Sequence, residues 1–397
     1  MRRQNFEKSA VSLREKMYKS LIILLATAMF FLFGAGCGKT ANGTKPANNG
    51  KVKIRKVYFQ TEKFDKFKLP KNDKRYYEIG SLSVFGNTAV FSSGSGEMTK
   101  ENAPCLSLEN YLTVYDIEKG EVNSVLKADK GFYQICNTAV NSDWIVFEEI
   151  KNIVGVPGRV YAINRKTSEK KLVYSVGNKS SPIKETFVNP PFPHQIILHK
   201  NCIYIPLTKG NESKIVKVDL HSLKAETVFY RKGGGCIFSV SSNDRYIAID
   251  YAENGKSEIL LYDFGTGLTK KLIETDIFPV ELQETQFPLI TDDNCIVLEK
   301  CTNLNCKKNE IIVFPVNNPD KIKTYNLNMI NLCSSGNYIA GTGFQDVYVI
   351  NRKANVITDI ENLNGNYLCM EKDTLFVILP RIGGVEVIYA NVAKEGF

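Results

Sequence analysis

Tryptophan and histidine are the scarce residues of this 397-residue chain, with one Trp (Trp144) and three His (His194, His199, His221). The histidines show no metal-ligand spacing, so no metal site is expected and no cofactor is implied. No G-x-S-x-G elbow occurs, and no Ser-His-Asp arrangement can be assembled, so the sequence holds no catalytic motif of that kind. Long basic runs are also missing. Six of the 51 Lys/Arg and two of the 42 Asp/Glu lie in residues 1–37, so the remainder carries a mild net charge of about +5, and no nucleic acid partner is expected. Helix-period apolar patterning is scarce beyond residue 50, where short β-rich runs dominate.

What is present begins with an address. Arg2, Arg3, Arg14, Lys16 and Lys19 precede an apolar run from Leu21 to Phe33, which ends in Gly34-Ala35-Gly36-Cys37. A basic segment, a short apolar segment and small residues make a secretory signal peptide over residues 1–36. The Cys after the small residues resembles the bacterial lipobox. That resemblance implies a diacylated Cys37 as the mature N-terminus, although Gly34 stands where the usual pattern has Leu. An uncleaved signal anchor is the alternative, because the apolar stretch is only just short of the roughly 20 residues that span a bilayer. Either way the rest of the chain lies on the extracytoplasmic face of the membrane. Gly38-Lys39-Thr40 is no phosphate-binding loop, since that motif needs Gly at position 33, where Phe stands. Residues 37–50 are small and polar and read as a flexible tether.

From residue 51 one sentence is repeated seven times. Its clearest words are Leu112–Asp116, Val160–Asn164, Ile215–Asp219, Ile259–Asp263, Ile311–Pro315, Val347–Asn351 and Val385–Tyr389. Their mean spacing of about 45 residues suits four strands per unit, which is the blade of a β-propeller. An apolar run introduced by a polar turn precedes each one, as in Trp144–Phe147 and Tyr246–Ile249. The expectation is an all-β, seven-bladed propeller over 51–397, with six blades as the alternative count. The seventh unit ends at its third strand, so Val52–Phe59 is expected to supply the missing outer strand and close the ring.

The fourth unit reads Ser242-Asn243-Asp244-Arg245, Tyr246-Ile247-Ala248-Ile249, Ile259-Leu260-Leu261-Tyr262-Asp263 and Gly265-Thr266-Gly267. It resembles the repeat of TolB-type periplasmic propellers, and the other units match more loosely. The single Trp departs from WD40 and quinone-type blades, whose signatures place a Trp in most repeats. The resemblance implies a fold and a binding style, and it names no ligand.

Strand order places the turns between strands one and two, and three and four, on one rim, called the bottom. The remaining connections fall on the other, the top. Thr61–Glu78, Ser92–Asn110, Glu148–Arg159, Val176–His194, Thr275–Phe287 and Glu299–Glu310 are the long connections, and all are expected on the top rim. Long loops on a rigid scaffold carry function, although drifted insertions are also cheap. The candidate binding residues there are Glu148, Phe187, Phe192, His194, Asp250, Tyr251 and Glu299. Lys and aromatic residues mix in Thr61–Glu78, which suits either an anionic surface or a solvated linker with a few buried rings. Glu148-Glu149, Asp250, Glu253 and Glu299 end second strands, where propeller glycosidases hold acids; ordinary loop solvation is the competing reading. Ten Cys are many for an exported chain. Cys301 and Cys306 flank Thr-Asn-Leu-Asn and are candidates for a disulfide, whereas Cys136, Cys202, Cys236, Cys295, Cys333 and Cys369 read as small buried hydrophobes.

The sequence therefore points to a monomeric, lipid-anchored module of the cell envelope. It binds or scaffolds a protein, peptide or glycan partner through its top face. A glycan-cleaving enzyme using top-rim carboxylates is the alternative, and a structural partner in an envelope assembly is a third reading.

Overall fold

The computed structural model describes residues 52–95, 109–151, 158–175, 181–183, 196–254, 256–276, 288–301, 309–381 and 384–397. Alternating runs bounded by Gly, Asn and Asp turns form antiparallel strands, and the chain lays them down as seven sheets. Blade one covers 78–127, blade two 134–175, blade three 197–232, blade four 236–276, blade five 289–326 and blade six 330–361. Blade seven takes three strands from 367–391 and a fourth from the N-terminal segment. This is a seven-bladed β-propeller with no α-helix among the described residues.

Burial explains why the apolar runs are continuous rather than alternating. Trp144, Ile145, Val146 and Phe147 are all buried, as are Tyr246, Ile247, Ala248 and Ile249, because a neighbouring blade covers each face of the sheet. Seven separate apolar cores result, one in each seam. Ile145 and Phe147 pack on blade one, while Trp144 and Val146 pack on blade three. Tyr338 and Leu375 share the seam of blades six and seven, and Phe376 and Ala89 share the seam that closes the ring.

The bottom rim adds a polar stitch. Three residues before the second strand of blade two, Asn141 Oδ1 accepts from the backbone nitrogens of Asp143 (3.0 Å) and Trp144 (2.9 Å). Its Nδ2 donates to Lys200 O of blade three (2.8 Å). Asn243, at the same place in blade four, accepts from Arg245 N and Tyr246 N (both 2.9 Å) and donates to Thr291 O of blade five (2.8 Å). Asp292 accepts from Gly336 N of blade six (2.6 Å), and Glu371 from Gly86 N of blade one (3.3 Å). His199 of blade three instead stacks on Phe264 of blade four, with ring centroids 3.9 Å apart.

Closure corrects one expectation. The strand Lys53–Tyr58 does not complete blade seven; it runs parallel to Val356–Glu361 as a fifth, outermost strand on blade six. Lys56 meets Glu361 there at 2.6 Å and Asp359 at 3.7 Å. Asp65–Lys66 is the strand that pairs with Tyr389 and Ile388 and finishes blade seven. Alternation marks a strand but carries no partner, and a last third strand needs an antiparallel mate. The chain reaches that orientation only after it turns back through Thr61–Lys63.

Thr61–Glu78 is accordingly not one top-rim loop, since it contains the closing strand. Two paired residues suffice because the flanking rings do the anchoring. Phe64 is buried against Phe59 (5.3 Å) and Phe397 (5.5 Å). Phe67 stacks on Tyr115 of blade one at 4.2 Å, and meets Phe376 and Tyr389 of blade seven at 6.3 and 5.9 Å. Phe64, Phe67 and Tyr76 of this segment are core, and Tyr77 alone of its aromatic rings is exposed.

Candidate functional site: the top rim

The second strands run upward, and they are longer than their apolar runs suggest. Blade two's extends through Ile150 and blade four's through Glu253. Glu148, Glu149 and Asp250 therefore lie inside strands, where they are 4%, 0% and 2% exposed. Loop solvation does not describe them.

Because successive strand residues point to opposite faces, Glu148 looks toward blade three and Glu149 toward blade one. Glu148 accepts from Asn137 Nδ2 (2.7 Å) and lies 3.8 Å from the Cys136 thiol. Gly158 makes room for it, since a Cβ at that glycine would fall 2.4 Å from Glu148 Oε1. Glu149 meets Lys170 Nζ at 3.4 Å and accepts from Asp129 N at 3.4 Å; burial raises its carboxyl, with Lys170 opposing. Around it, Tyr161 donates to Asp129 (2.7 Å) and Arg159 pairs with the same carboxylate (3.3 Å). Burial, together with the bond to Asp129, pushes the Tyr161 phenol up to about 12. Asp129 is held low against the pull of burial by Tyr161, Lys170 and Arg159. Sequence reasoning missed Asp129, Tyr161 and Lys170, which are scattered along the chain and carry no spacing signal.

Asp250 occupies in blade four the place of Glu148 in blade two and faces the seam with blade five. Ser257 Oγ donates to it, and burial lifts its carboxyl to about 7. Glu299, the equivalent of both in blade five, is half-buried. These acids sit in different seams. A glycosidase needs two carboxyl groups facing one shared space, and the adjacent pair Glu148 and Glu149 points in opposite directions.

Tyr251 is not a surface residue. It is fully buried on the blade-three side, under Arg231 (4.7 Å) and edge-on to Phe229 (6.1 Å). Cys136, Cys202, Cys236, Cys295, Cys333 and Cys369 are free thiols, and burial raises each of them. Among the described residues, no three His, Cys, Asp or Glu side chains converge as a metal site would require. Cys37, Phe187, Phe192, His194 and Cys306 lie outside the described residues, as does the side chain of Cys301.

No protein-family model and no curated protein sequence matches the chain. Solved structures do. An acylaminoacyl peptidase in complex with Z-Gly-Gly-Phe-chloromethyl ketone superposes with a TM-score of 0.53 and 10% identity, covering 77% of this chain and 50% of the peptidase. U3-55K gives 0.52 and 9%, over 83% of this chain and 99% of its own. The likeness is one of fold. BamB from Moraxella catarrhalis superposes at 0.44 with 15% identity, over 77% and 80%. The chain spans about half the length of the peptidase it matches, so the propeller is what the two have in common.

Proposed function

We propose that this protein is a lipid-anchored propeller on the extracytoplasmic face of the membrane, which holds a protein, peptide or glycan partner on its top rim. One observation carries the reading. Bottom turns are short, and Asn141, Asn243, Asp292 and Glu371 in four of them are committed to the next blade. The connections 95–110, 151–157, 176–196, 277–288 and 302–308 leave instead from strand ends on the top rim. A scaffold that fixes one rim and varies the other presents a recognition surface. The leader ending at Cys37 supplies the anchor, and acylation plus a short tether keeps the ring near the bilayer.

Two measurements test this. Wild type is expected to incorporate an alkyne-tagged fatty acid and to fractionate with membranes, and Cys37→Ala to do neither. Crosslinking on intact membranes, followed by capture, is expected to recover one partner whose adducts map to the top rim. Adducts confined to the bottom rim, or an unlabelled soluble wild type, overturn the reading. The variants Glu148→Gln, Asp250→Asn and Glu299→Gln separate a binder from a glycan-cleaving enzyme, which would lose turnover and keep its ligand.

A further inference from the structure

Blades three, four and six each join their second and third strands by a tight top-rim hairpin. Lys209 pairs with Glu212 and Glu253 with Lys256, so Gly210-Asn211 fills the first turn and Asn254 opens the second. Those are the polar, flexible residues such turns favour. Blade six closes its turn with Gly343 N donating to Asp346 O (2.7 Å) and places Phe344-Gln345 at the tip. Phe344 is 92% exposed. Turn chemistry does not call for a phenylalanine there, and a rigid hairpin presents it to solvent.

Phe344 has company along the same edge. Ile330 opens the inner strand of blade six and is 48% exposed; Tyr58 ends the fifth, outermost strand and is 68% exposed. At about 4.8 Å between strands, the row from Ile330 through Phe344 to Tyr58 spans roughly 19 Å. Exposed apolar side chains grouped in this way mark interaction sites. Beside the row lie Asp346, Asp359 and Glu361, and among the described residues the cation that neighbours them is Lys56. Asp359 is 7% exposed, and its Oδ1 is buried without a hydrogen-bond partner.

Resting on the top-rim reading, we infer that the upper end of blade six is a docking surface for a cationic polypeptide segment with apolar anchors. The row of Ile330, Phe344 and Tyr58 takes the anchors. Asp346 and Glu361 take the Lys or Arg side chains, and Asp359 behind them adds to the surplus of negative charge on this edge.

A photo-reactive benzoylphenylalanine in place of Phe344, in the full-length membrane-borne protein, tests it. The same group in place of Asn211 serves as the tight-turn control, and in place of Phe187 as the probe of the wider top rim. The expected result is an adduct at 344 and none at 211, mapped by mass spectrometry to a Lys- or Arg-rich segment of another protein. Asp346→Lys combined with Glu361→Lys is expected to lower its yield about tenfold, with the β-sheet circular dichroism of the wild type retained. The inference falls if position 344 is silent, if its adduct is a lipid, a second copy of this chain or an acidic segment, or if charge reversal leaves the yield intact. An adduct at 187 with silence at 344 removes the inference alone; silence at both removes the top-rim reading as well.

Discussion

Two positions recur in the blades and are treated oppositely. Three residues before the second strand, at the bottom, stand Asn141, His199, Asn243, Asp292 and Glu371 in five blades, each touching the next blade. In the other two, Ser335 of blade six donates back to Asp292, and Phe85 of blade one is exposed. Four residues into that strand, at the top, stand Glu148, Asp250 and Glu299 in blades two, four and five, and Ser92, Pro206, Thr342 and Ile378 in the others. The bottom position solves one problem with several chemistries. The top position shares only its location: Glu148 is held by Asn137, and Asp250 by Ser257. One rim is where the ring is joined, and the other is where the blades are free to differ.

The contrast can be broken most severely at closure. Phe67→Ala removes the ring wedged between blades seven and one, and a buried Phe→Ala change costs about 3–5 kcal/mol. Urea unfolding is expected to show that loss, and a change under about 1 kcal/mol would mean the closing strand is dispensable. Next comes Asp250. Its carboxyl is raised by burial to about 7, above the usual acid value, so ionising it costs the folded state more than the unfolded one. Stability is therefore fullest below the unfolded value near 4, declines as pH rises to about 7, and is flat beyond. Asp250→Asn should remove this decline, gaining on the order of 2 kcal/mol relative to wild type between pH 5 and pH 8. Equal pH profiles by thermal melting would place that carboxylate in contact with water. The smallest effect is Asn243→Ala, expected to cost about 1–2 kcal/mol for the lost turn and stitch together. A double-mutant cycle with Asn141→Ala should be additive, because the two stitches lie in separate seams.

Blade count and strand order were legible because a fixed spacing and two-sided burial leave a plain mark on composition. The stitch was not. Asn243 reads as an ordinary turn former, and only the arc of the ring brings its amide to Thr291. The closing strand was hidden for a different reason. Asp65–Lys66 is too short to show alternation, while Lys53–Tyr58 shows it clearly and pairs elsewhere. The top-rim acids were found by position, but their burial was not, since Glu148 and Asp250 end runs whose apolar part stops before them. Phe344 gave no signal at all: nothing in a four-residue turn tells whether its ring is covered.

The parallel strand on blade six has a mechanical meaning. Its first residue, Lys53, lies beside Val356 near the bottom rim, and its last, Tyr58, beside Glu361 at the top. A chain held at Cys37 would draw on Lys53 along the strand axis, so that tension loads the ladder of hydrogen bonds in shear and shares the force among them. Force directed across the strands would instead peel the same six residues away one bond at a time.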